Sequence, residues 1–422
     1  MRRPCLFHCL LRLTTLASVD LEAESHTILR LAAASIVFIF IGQFARALTT
    51  PATGAIAVGY YHSVVLRSDG TVWTCGDNSC GQLGDGTLKN RTVPVQVAGI
   101  SGVAKISAGF QHTVVLKTDG TVWCWGANDN RQLGDGTKVQ RLAPVQVVGL
   151  NNVTAISAGY SHSIALKSDG TVWAWGNNDS GQLGDGTKAE RASPVQVVGM
   201  SGVSGLSAGF LRSAVVKTDG TVWGWGNNAF GQLGDGTKVT RTSPVQTVGL
   251  VNVTALASGF YHTVALKNDG TIWAWGSNSY NQLGDGTTIN RAVPVRVAGL
   301  AEIIGIGPSV ALKSDGSVWI WGSSLGETSA ETLPIAVQDP NLSGVQAIAA
   351  NSHALALKYD GSLLAWGYNE SGQLGDGTLT NRETAVQVKE LENVVSVSAG
   401  GYFSVAAKSD GTVWEWGNKY NG

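Results

Sequence analysis

Aspartate, asparagine and histidine side chains recur at fixed spacings along this 422-residue chain, and each type could bind a metal or take part in catalysis. A Gln-Leu-Gly-Asp-Gly-Thr loop occurs six times after segments rich in Asn and Asp. Its aspartates are Asp85, Asp135, Asp185, Asp235, Asp285 and Asp376. The spacing does not match the calcium loop D-x-[DN]-x-[DN]-G-x₅-E, which ends in a bidentate glutamate. We therefore predict a structural role, in which each aspartate bonds to nearby backbone N–H groups or to the arginine six residues later.

Histidine recurs in a Gly-x-x-His motif. The motif supplies His62, His112, His162 and His262, and His353 takes the equivalent position after Ala350. The equivalent residue is Arg212 in the fourth unit and Phe403 in the last. A ring of repeats would hold these imidazoles too far apart for normal metal–ligand distances. We predict that they hydrogen-bond between neighbouring units, and we expect no metal and no cofactor.

Catalysis needs an asymmetric arrangement of acid and base, which near-identical repeats do not supply. Single-copy carboxylates occur in the sixth unit, at Glu327 and Glu331, without a nearby base. The sequence therefore predicts no catalytic residues. Cysteine leaves two interpretations open, because Cys75 and Cys80 could form a small disulfide or could be buried apolar residues like Cys124.

The element that positions all these residues is a repeat of about 50 residues. Asp-Gly pairs occur at Asp69, Asp119, Asp169, Asp219, Asp269, Asp315, Asp360 and Asp410. Residues 153–200 contain a strand, then two strands joined by Lys-Ser-Asp-Gly, then a strand headed by Pro194. Asp-Gly favours a type I′ hairpin, and a proline favours an edge strand. Four strands per unit, with the last at the rim, predict a β-propeller blade.

Tryptophans alternate with small residues in the third strand of the second to fifth units. The pairs include Trp123 and Trp125, Trp173 and Trp175, Trp223 and Trp225, and Trp273 and Trp275. Residues two apart share one face of a strand, so a bulky face can pack into the small face of the next blade. We predict that these tryptophans are structural.

The predicted organisation has three parts. Residues 1–47 form a leader, 48–54 a linker and 55–422 the propeller. The units lie near 55–98, 103–148, 153–198, 203–248, 253–298, 302–338, 345–388 and, in part, 394–417. The apolar run Leu31–Ala45, followed by Ala45-Arg46-Ala47, predicts an export signal cleaved near Ala47, with a short membrane anchor as the alternative.

Charge gives no reason to expect nucleic acid or an anionic membrane as a partner, because 29 Lys and Arg balance 30 Asp and Glu. We expect a monomer. Any attachment to a membrane is expected only through the N-terminal segment.

The motif A-G-x-x-H-[ST]-[VI]-[VA]-L, together with W-x-W-G and G-Q-L-G, resembles the regulator of chromosome condensation repeat. It occurs at 108–116, 158–166 and, with Ser for the first Ala, 258–266. The resemblance implies a propeller of seven blades. Because the chain has eight Asp-Gly hairpins and seven fourth strands, starting near Pro94, Pro144, Pro194, Pro244, Pro294, Pro334 and Ala385, we expect seven blades with an extra or incomplete eighth unit at the C terminus.

The same family includes a nucleotide exchange factor for the GTPase Ran, signalling proteins and secreted bacterial propellers, among them protein inhibitors of β-lactamases. What they share is a scaffold that binds other proteins. The resemblance therefore implies a secreted or cell-surface, bacterial, protein-binding propeller that is not an enzyme. An enzyme acting on extracellular glycan or another polymer is the alternative. Nucleotide exchange is disfavoured by the predicted export signal and by the absence of a basic arm.

Variable residues on one face of the predicted propeller are the candidates for partner binding. This face carries the connections between the first and second strands and between the third and fourth strands. Near the axis the candidates are Tyr60, Tyr61, Phe110, Gln111, Tyr160, Phe210, Leu211, Arg212, Phe260 and Tyr261. Phe230 and Tyr280 lie farther out. Aromatic loop tips are typical anchors of protein interfaces, and the first aromatic of each pair has a structural alternative, which is to plug the channel mouth.

Overall fold

The computed structural model describes residues 55–322 and 332–418, which form eight antiparallel β-sheets. The predicted leader and linker, and Glu327 and Glu331, lie outside these residues. Seven sheets have four strands in chain order and the last has three. The fold is an all-β propeller in which each sheet is one blade. Within the described ranges, no helix has the length and apolar character needed to cross a membrane.

The strand bounds repeat from blade to blade. Blades one to three consist of Ile56–Val58, His62–Leu66, Val72–Gly76 and Arg91–Gln96; Val103–Ala108, His112–Lys117, Val122–Gly126 and Arg141–Gln146; and Val153–Ala158, His162–Lys167, Val172–Gly176 and Arg191–Gln196. Blades four to six consist of Val203–Ala208, Arg212–Lys217, Val222–Gly226 and Arg241–Gln246; Val253–Ser258, His262–Lys267, Ile272–Gly276 and Arg291–Arg296; and Ile303–Ile306, Val310–Lys313, Val318–Gly322 and Leu333–Gln338. Blades seven and eight consist of Val345–Ala350, His353–Lys358, Leu363–Gly367 and Arg382–Gln387; and Val394–Ala399, Phe403–Lys408 and Val413–Gly417.

The Asp-Gly hairpins do not adopt the predicted type I′ turn. In blade three the Gly170 N–H donates to the Lys167 carbonyl at 3.0 Å, and the Lys167 N–H donates to the Thr171 carbonyl at 2.9 Å. Gly170 has a positive φ of 79°, whereas Asp169 is not among the residues with positive φ. The loop is therefore a three-residue connection with one left-handed glycine. Asp169 accepts the Thr171 N–H at 2.9 Å, which holds the turn closed.

The fourth strand begins before the position that the sequence predicted. In blade three it starts at Arg191, opposite Gly176, and Pro194 lies inside it. The pairing shifts between Ala174 and Gly176, so the ladder is irregular beside the proline. A proline is tolerated there because this strand is the outer edge of the sheet and its missing N–H leaves no inner partner unbonded.

The core is distributed between the blades. The second tryptophan of each pair in blades two to six is buried, as in Trp175 at 0% and Trp225 at 0% exposure, whereas Trp416 of blade eight is partly exposed. Each packs with the small residue of the preceding blade, as Trp175 does with Cys124 and Trp225 with Ala174. The first tryptophan of each pair is at least partly exposed, so its burial contributes less to the stability of the fold than that of a fully buried second tryptophan. Repeating this bulky-on-small contact stacks one blade on the next.

The eighth unit is a full member of the ring, and the expectation of seven blades is wrong. The Ser63 hydroxyl of blade one donates to the Glu415 carboxylate of blade eight at 3.0 Å. The rings of Tyr60 and Tyr402 also meet across this seam, at 5.9 Å between centroids. Each of the eight Asp-Gly hairpins pairs with the strand that precedes it in the chain, so each unit forms a sheet. This holds also for the sixth unit, which lacks the Gly-Asp-Gly loop.

The seam inverts the pattern of the other interfaces. Glu415 stands where blades one to five and blade seven have a small residue, and it faces Cys75, which stands where the other blades have the buried tryptophan of the third strand. A larger residue on one side thus accompanies a smaller one on the other. Cys75, Cys80 and Cys124 are buried thiols that form no disulfide with one another, so the predicted alternative of a Cys75–Cys80 disulfide is wrong.

Candidate functional site

Two sets of connections emerge at the same end of every complete blade. In blade three His162 pairs with Gly176, so the loop before the second strand and the loop after the third strand are neighbours. The fourth strand ends at Gln196, opposite Trp173, so the link to the next blade leaves from the other end. We call the first end the loop face. It carries the candidate residues that the sequence singled out.

Five aromatic rings form a continuous arc at the axis of the loop face. We call this group the axial arc, and it consists of Tyr60, Phe110, Tyr160, Phe210 and Phe260. Successive ring centroids lie 4.8, 4.2, 4.7 and 4.4 Å apart. Such pairs contribute roughly 0.5–1.5 kcal/mol each beyond the area that they bury.

Exposure differs along the axial arc. Phe110 is 8% exposed and the other four rings are half-buried, so the arc both fills the axis and presents aromatic surface. Burial, and then the neighbouring Tyr61 and Tyr402 hydroxyls, raise the pKa of Tyr60. The loop face therefore has uncharged aromatic hydroxyls at its centre.

The second residue of each loop is not freely exposed to solvent. Tyr61, Gln111, Leu211 and Tyr261 are all half-buried. The Tyr61 ring contacts Tyr60 at 4.3 Å between centroids. Tyr261 contacts Phe260 and Phe230, each at 5.0 Å. Ring contacts within each loop and, for Tyr261, with Phe230 of the preceding blade therefore limit the exposure of these side chains.

Two aromatic residues of this face were missed from the sequence. Tyr402 of blade eight stacks with Tyr61 at 6.3 Å and contacts Tyr368 of blade seven at 6.1 Å. Gly401 takes the first position of that loop and Tyr402 the second, which an alignment on the last Asp-Gly hairpin would have revealed. Blade six has Pro308 in a shortened loop, so the axial arc is interrupted there.

The repeated histidines connect adjacent blades. His62, His112 and His162 lie 3.0 Å from the hydroxyl of Thr113, Ser163 and Ser213, respectively, in the next blade. His262 instead contacts the Pro308 carbonyl at 2.9 Å. Burial lowers the pKa of each of the first three to about 3, so they are neutral near pH 7. In the part of the chain that the structure describes, no group of three His, Cys, Asp or Glu is placed to hold a metal ion.

Arg212 takes the histidine position in blade four and is 2% exposed. Its guanidinium donates to three carbonyl oxygens of blade five, those of Phe260 at 2.9 Å, Gly259 at 3.1 Å and His262 at 2.7 Å. This arginine fixes the loop that carries Phe260 and Tyr261. It is thus a buried part of the loop face rather than an exposed anchor.

The Gln-Leu-Gly-Asp-Gly-Thr loops bind the next blade. The Trp225 indole N–H and the Ser213 hydroxyl both donate to the Gln182 carbonyl, at 2.8 and 2.9 Å. Leu183 is fully buried between the blades. The loop is therefore an interblade clamp, and its copies recur because each blade contacts a neighbour.

An ion pair closes each clamp loop. The Arg191 guanidinium donates to Asp185 at 2.7 Å, and the Thr187 N–H donates to the same carboxylate at 3.0 Å. Burial raises the pKa of Asp185, but the bonds from Thr187 and Arg191 outweigh it and hold the pKa below its ordinary value. The aspartate is occupied by partners of its own chain.

Family models match most of the described chain. An RCC1-like domain model matches residues 45–324, and models of the regulator of chromosome condensation (RCC1) repeat match residues 360–407 and 394–422. The RCC1 domain-containing protein RUG3, mitochondrial, from Arabidopsis thaliana is 29% identical over 93 residues, which are 21% of this chain and 20% of that protein. The match thus spans about a fifth of that relative.

Solved structures share the fold. Human WBSCR16 is 25% identical with a TM-score of 0.64, over 78% of this chain and 97% of that one. Prp20p from Saccharomyces cerevisiae, studied with its binding to Gsp1p and histones, is 24% identical with a TM-score of 0.63, over 84% of this chain and 92% of that one. With the clamp loops, the paired tryptophans and the eight sheets, these matches show that the chain belongs to the RCC1-like family of β-propellers.

Proposed function

We propose that this protein is a scaffold that binds another protein through the loop face. The observation that carries the proposal is the concentration of dissimilar aromatic residues on one face of an otherwise repetitive molecule. Gln111 and Leu211 occupy positions equivalent to those of Tyr61 and Tyr261 yet differ from them in size and chemistry. A repeated architecture does not require that variety, whereas recognition of one partner does.

Burial and composition support a protein partner. The rings of the loop face are half-buried, so a partner would complete their burial at little cost in side-chain entropy. Tyrosine and arginine are enriched among the residues that dominate protein interfaces. Prp20p, which shares the fold, is described as binding Gsp1p and histones, and this supports a protein-binding role for a propeller of this shape.

A capture experiment tests the proposal. Full-length chain and a Tyr61→Ala, Leu211→Ala, Tyr261→Ala variant are immobilised and exposed to a cell-envelope extract, and the retained proteins are quantified by mass spectrometry. The control replaces Val148, Val198 and Val248 by Ala. These valines are 49, 52 and 51% exposed and lie on the links at the opposite end of the blades. We expect a protein that the parent and the control retain and the loop variant loses; retention by all three would refute a role for the loop face.

We also propose that the propeller acts outside the cytoplasm. The support is the apolar run Leu31–Ala45 followed by Ala45-Arg46-Ala47. Expression in a bacterial host with fractionation and N-terminal sequencing tests this. We expect exported protein that begins at Leu48, and an uncleaved chain found in the cytoplasm would contradict the proposal.

A further inference from the structure

Four tyrosines meet on the loop face near the seam between blades one and eight. We call this group the tyrosine cluster, and it consists of Tyr60, Tyr61, Tyr368 and Tyr402. Tyr402 lies at its centre, with its ring centroid 5.9 Å from that of Tyr60, 6.3 Å from that of Tyr61 and 6.1 Å from that of Tyr368. All four residues are half-buried, so each keeps some surface in contact with solvent. A partner side chain can therefore contact the cluster from the solvent side.

Two carboxylates flank the tyrosine cluster. The Tyr368 hydroxyl donates to Glu370 at 2.5 Å, and Glu370 is exposed. Asp77 is buried beside Tyr61, whose carbonyl accepts the Asp77 N–H at 2.8 Å. Among the described residues, no basic group lies within 4.0 Å of either carboxylate, the distance that defines an ion pair. The local electrostatic environment of the cluster is therefore negative.

The loops that form the cluster add no positive charge. These loops are 59–61, 368–381 and 400–402, and none of them contains lysine or arginine. In blade one Lys89 lies two residues before the fourth strand, which is the outer strand of the blade, so it belongs to the rim. Lys419 lies outside the described residues. A cation at the cluster would thus meet aromatic rings and the carboxylate that follows Tyr368 in the same loop.

This combination favours a basic side chain as the ligand. The electron-rich face of an aromatic ring attracts a cation within about 6 Å of its centroid. A carboxylate beside the ring adds a charge-assisted hydrogen bond. Lysine and arginine carry such a cation on an apolar stem that can pack against tyrosine. An acidic side chain would instead be repelled by Glu370.

We propose that the tyrosine cluster is the subsite that receives a lysine or arginine side chain of the partner protein. The stem packs on Tyr368 and Tyr402, and the cation binds the Glu370 carboxylate. The inference rests on the proposed function, since it names the partner chemistry that one part of the loop face recognises. A purely structural role for the cluster, in which its rings only close the seam, would give no preference for a basic residue.

Peptide probes with and without the cation test the inference. Short peptides are selected from a random display library on the full chain, and those that lose binding to the Tyr61→Ala, Leu211→Ala, Tyr261→Ala variant are kept as loop-face binders. Each lysine or arginine of a binder is replaced in turn by its neutral counterpart, norleucine or citrulline. Kd values of both forms are measured against the parent chain, Glu370→Gln and Asp179→Asn.

Asp179→Asn is the matched control. Asp179 is an exposed carboxylate at the equivalent position of blade three, where Asn177 stands in place of Tyr368. For one basic residue of a binder, we expect the neutral form to bind the parent and Asp179→Asn about tenfold more weakly, but to bind Glu370→Gln within about twofold of the basic form. Tyr402→Leu should also reduce this ratio, whereas Tyr402→Phe, which keeps a ring, should retain it.

Equal ratios for the parent and Glu370→Gln would overturn the subsite while leaving the proposed function intact, as would loop-face binders that contain no lysine or arginine. A ratio that Asp179→Asn reduces as much as Glu370→Gln does would indicate a general effect of surface charge and contradict the inference. An unchanged ratio in Tyr402→Leu would contradict the role of the rings. Failure to select any loop-face binder would overturn the proposed function together with the subsite. Because Glu370 is exposed, Glu370→Gln should fold as the parent does, which its thermal midpoint checks.

Discussion

Ionisation of Glu415 should loosen the seam between blades one and eight. Its carboxylate accepts the Ser63 hydroxyl at 3.0 Å and interacts with the Cys75 thiol. Within the described ranges, no basic side chain lies within 4.0 Å of the Glu415 carboxylate, the distance that would define an ion pair. Burial, only partly opposed by these two bonds, raises the pKa of Glu415 from 4.5 to about 7. The neutral acid is therefore the form that the folded seam favours.

The sign and size of the effect follow from linkage. Between pH 4.5 and about 7 the folded chain holds a proton on Glu415 that the unfolded chain has released. The stabilisation is therefore complete below pH 4.5 and lost as the pH rises through 7. The pKa difference corresponds to roughly 3 kcal/mol, and partial solvent contact of the side chain reduces this to about 2–3 kcal/mol.

Denaturant unfolding from pH 4 to 8 measures this effect. The informative quantity is the free energy of unfolding of the parent minus that of Glu415→Gln, since other titrating groups cancel in the difference. We expect the difference to fall by about 2–3 kcal/mol between pH 4.5 and 7.5. Glu392→Gln, at an exposed position, is the control and should give a flat difference. A flat profile for Glu415→Gln as well would refute the reasoning.

Three other predictions test the interblade contacts. A Cβ on Gly184 would lie 2.7 Å from the indole nitrogen of Trp225 in the next blade, whereas a Cβ on Gly199 would meet nothing within 4 Å. Because both glycines have a positive φ, only the steric contact differs, and Gly184→Ala should lower the thermal midpoint more than Gly199→Ala. Trp175→Ala should cost about 3–5 kcal/mol and Trp173→Ala clearly less, since the first is fully buried and the second is partly exposed; equal losses in denaturant unfolding would contradict this. Burial lowers the pKa of His162 from 6.5 to about 3, so its contribution to the stability of the folded chain is complete above pH 6.5 and is lost as the pH falls. His162→Gln should therefore flatten the decline in thermal midpoint between pH 6.5 and 4. An unchanged decline would contradict this prediction.

Local sequence signals were sufficient for the blades. Alternation in Trp173-Ala-Trp175 predicted a strand with one bulky face, and Asp169-Gly170 predicted the hairpin. The turn type was wrong because a left-handed glycine alone satisfies a three-residue loop. The blade number was wrong because seven came from the resemblance, whereas ring closure depends on how Glu415 and Cys75 meet, residues distant in sequence.

The candidate site was less predictable than the fold. Position in the repeat correctly identified which loops share a face, but the half-burial of Tyr61 depends on Tyr402, which lies at the far end of the chain. Likewise, the sequence placed Arg212 among the partner-binding candidates, whereas in the structure it is buried and bonds to carbonyl groups of the next blade. Contacts between repeats are not encoded within one repeat, so they require the closed ring.

The most direct test of the central claim is the affinity of a purified partner for two sets of variants. The partner captured as described above is titrated against the parent, the Tyr61, Leu211 and Tyr261 alanine variant, and the Val148, Val198 and Val248 alanine control, with thermal midpoints measured in parallel. We expect the loop variant to lose about 1–3 kcal/mol of binding free energy at its best anchors, while the control binds as the parent does. Equal affinity of the folded loop variant and the parent would contradict the account.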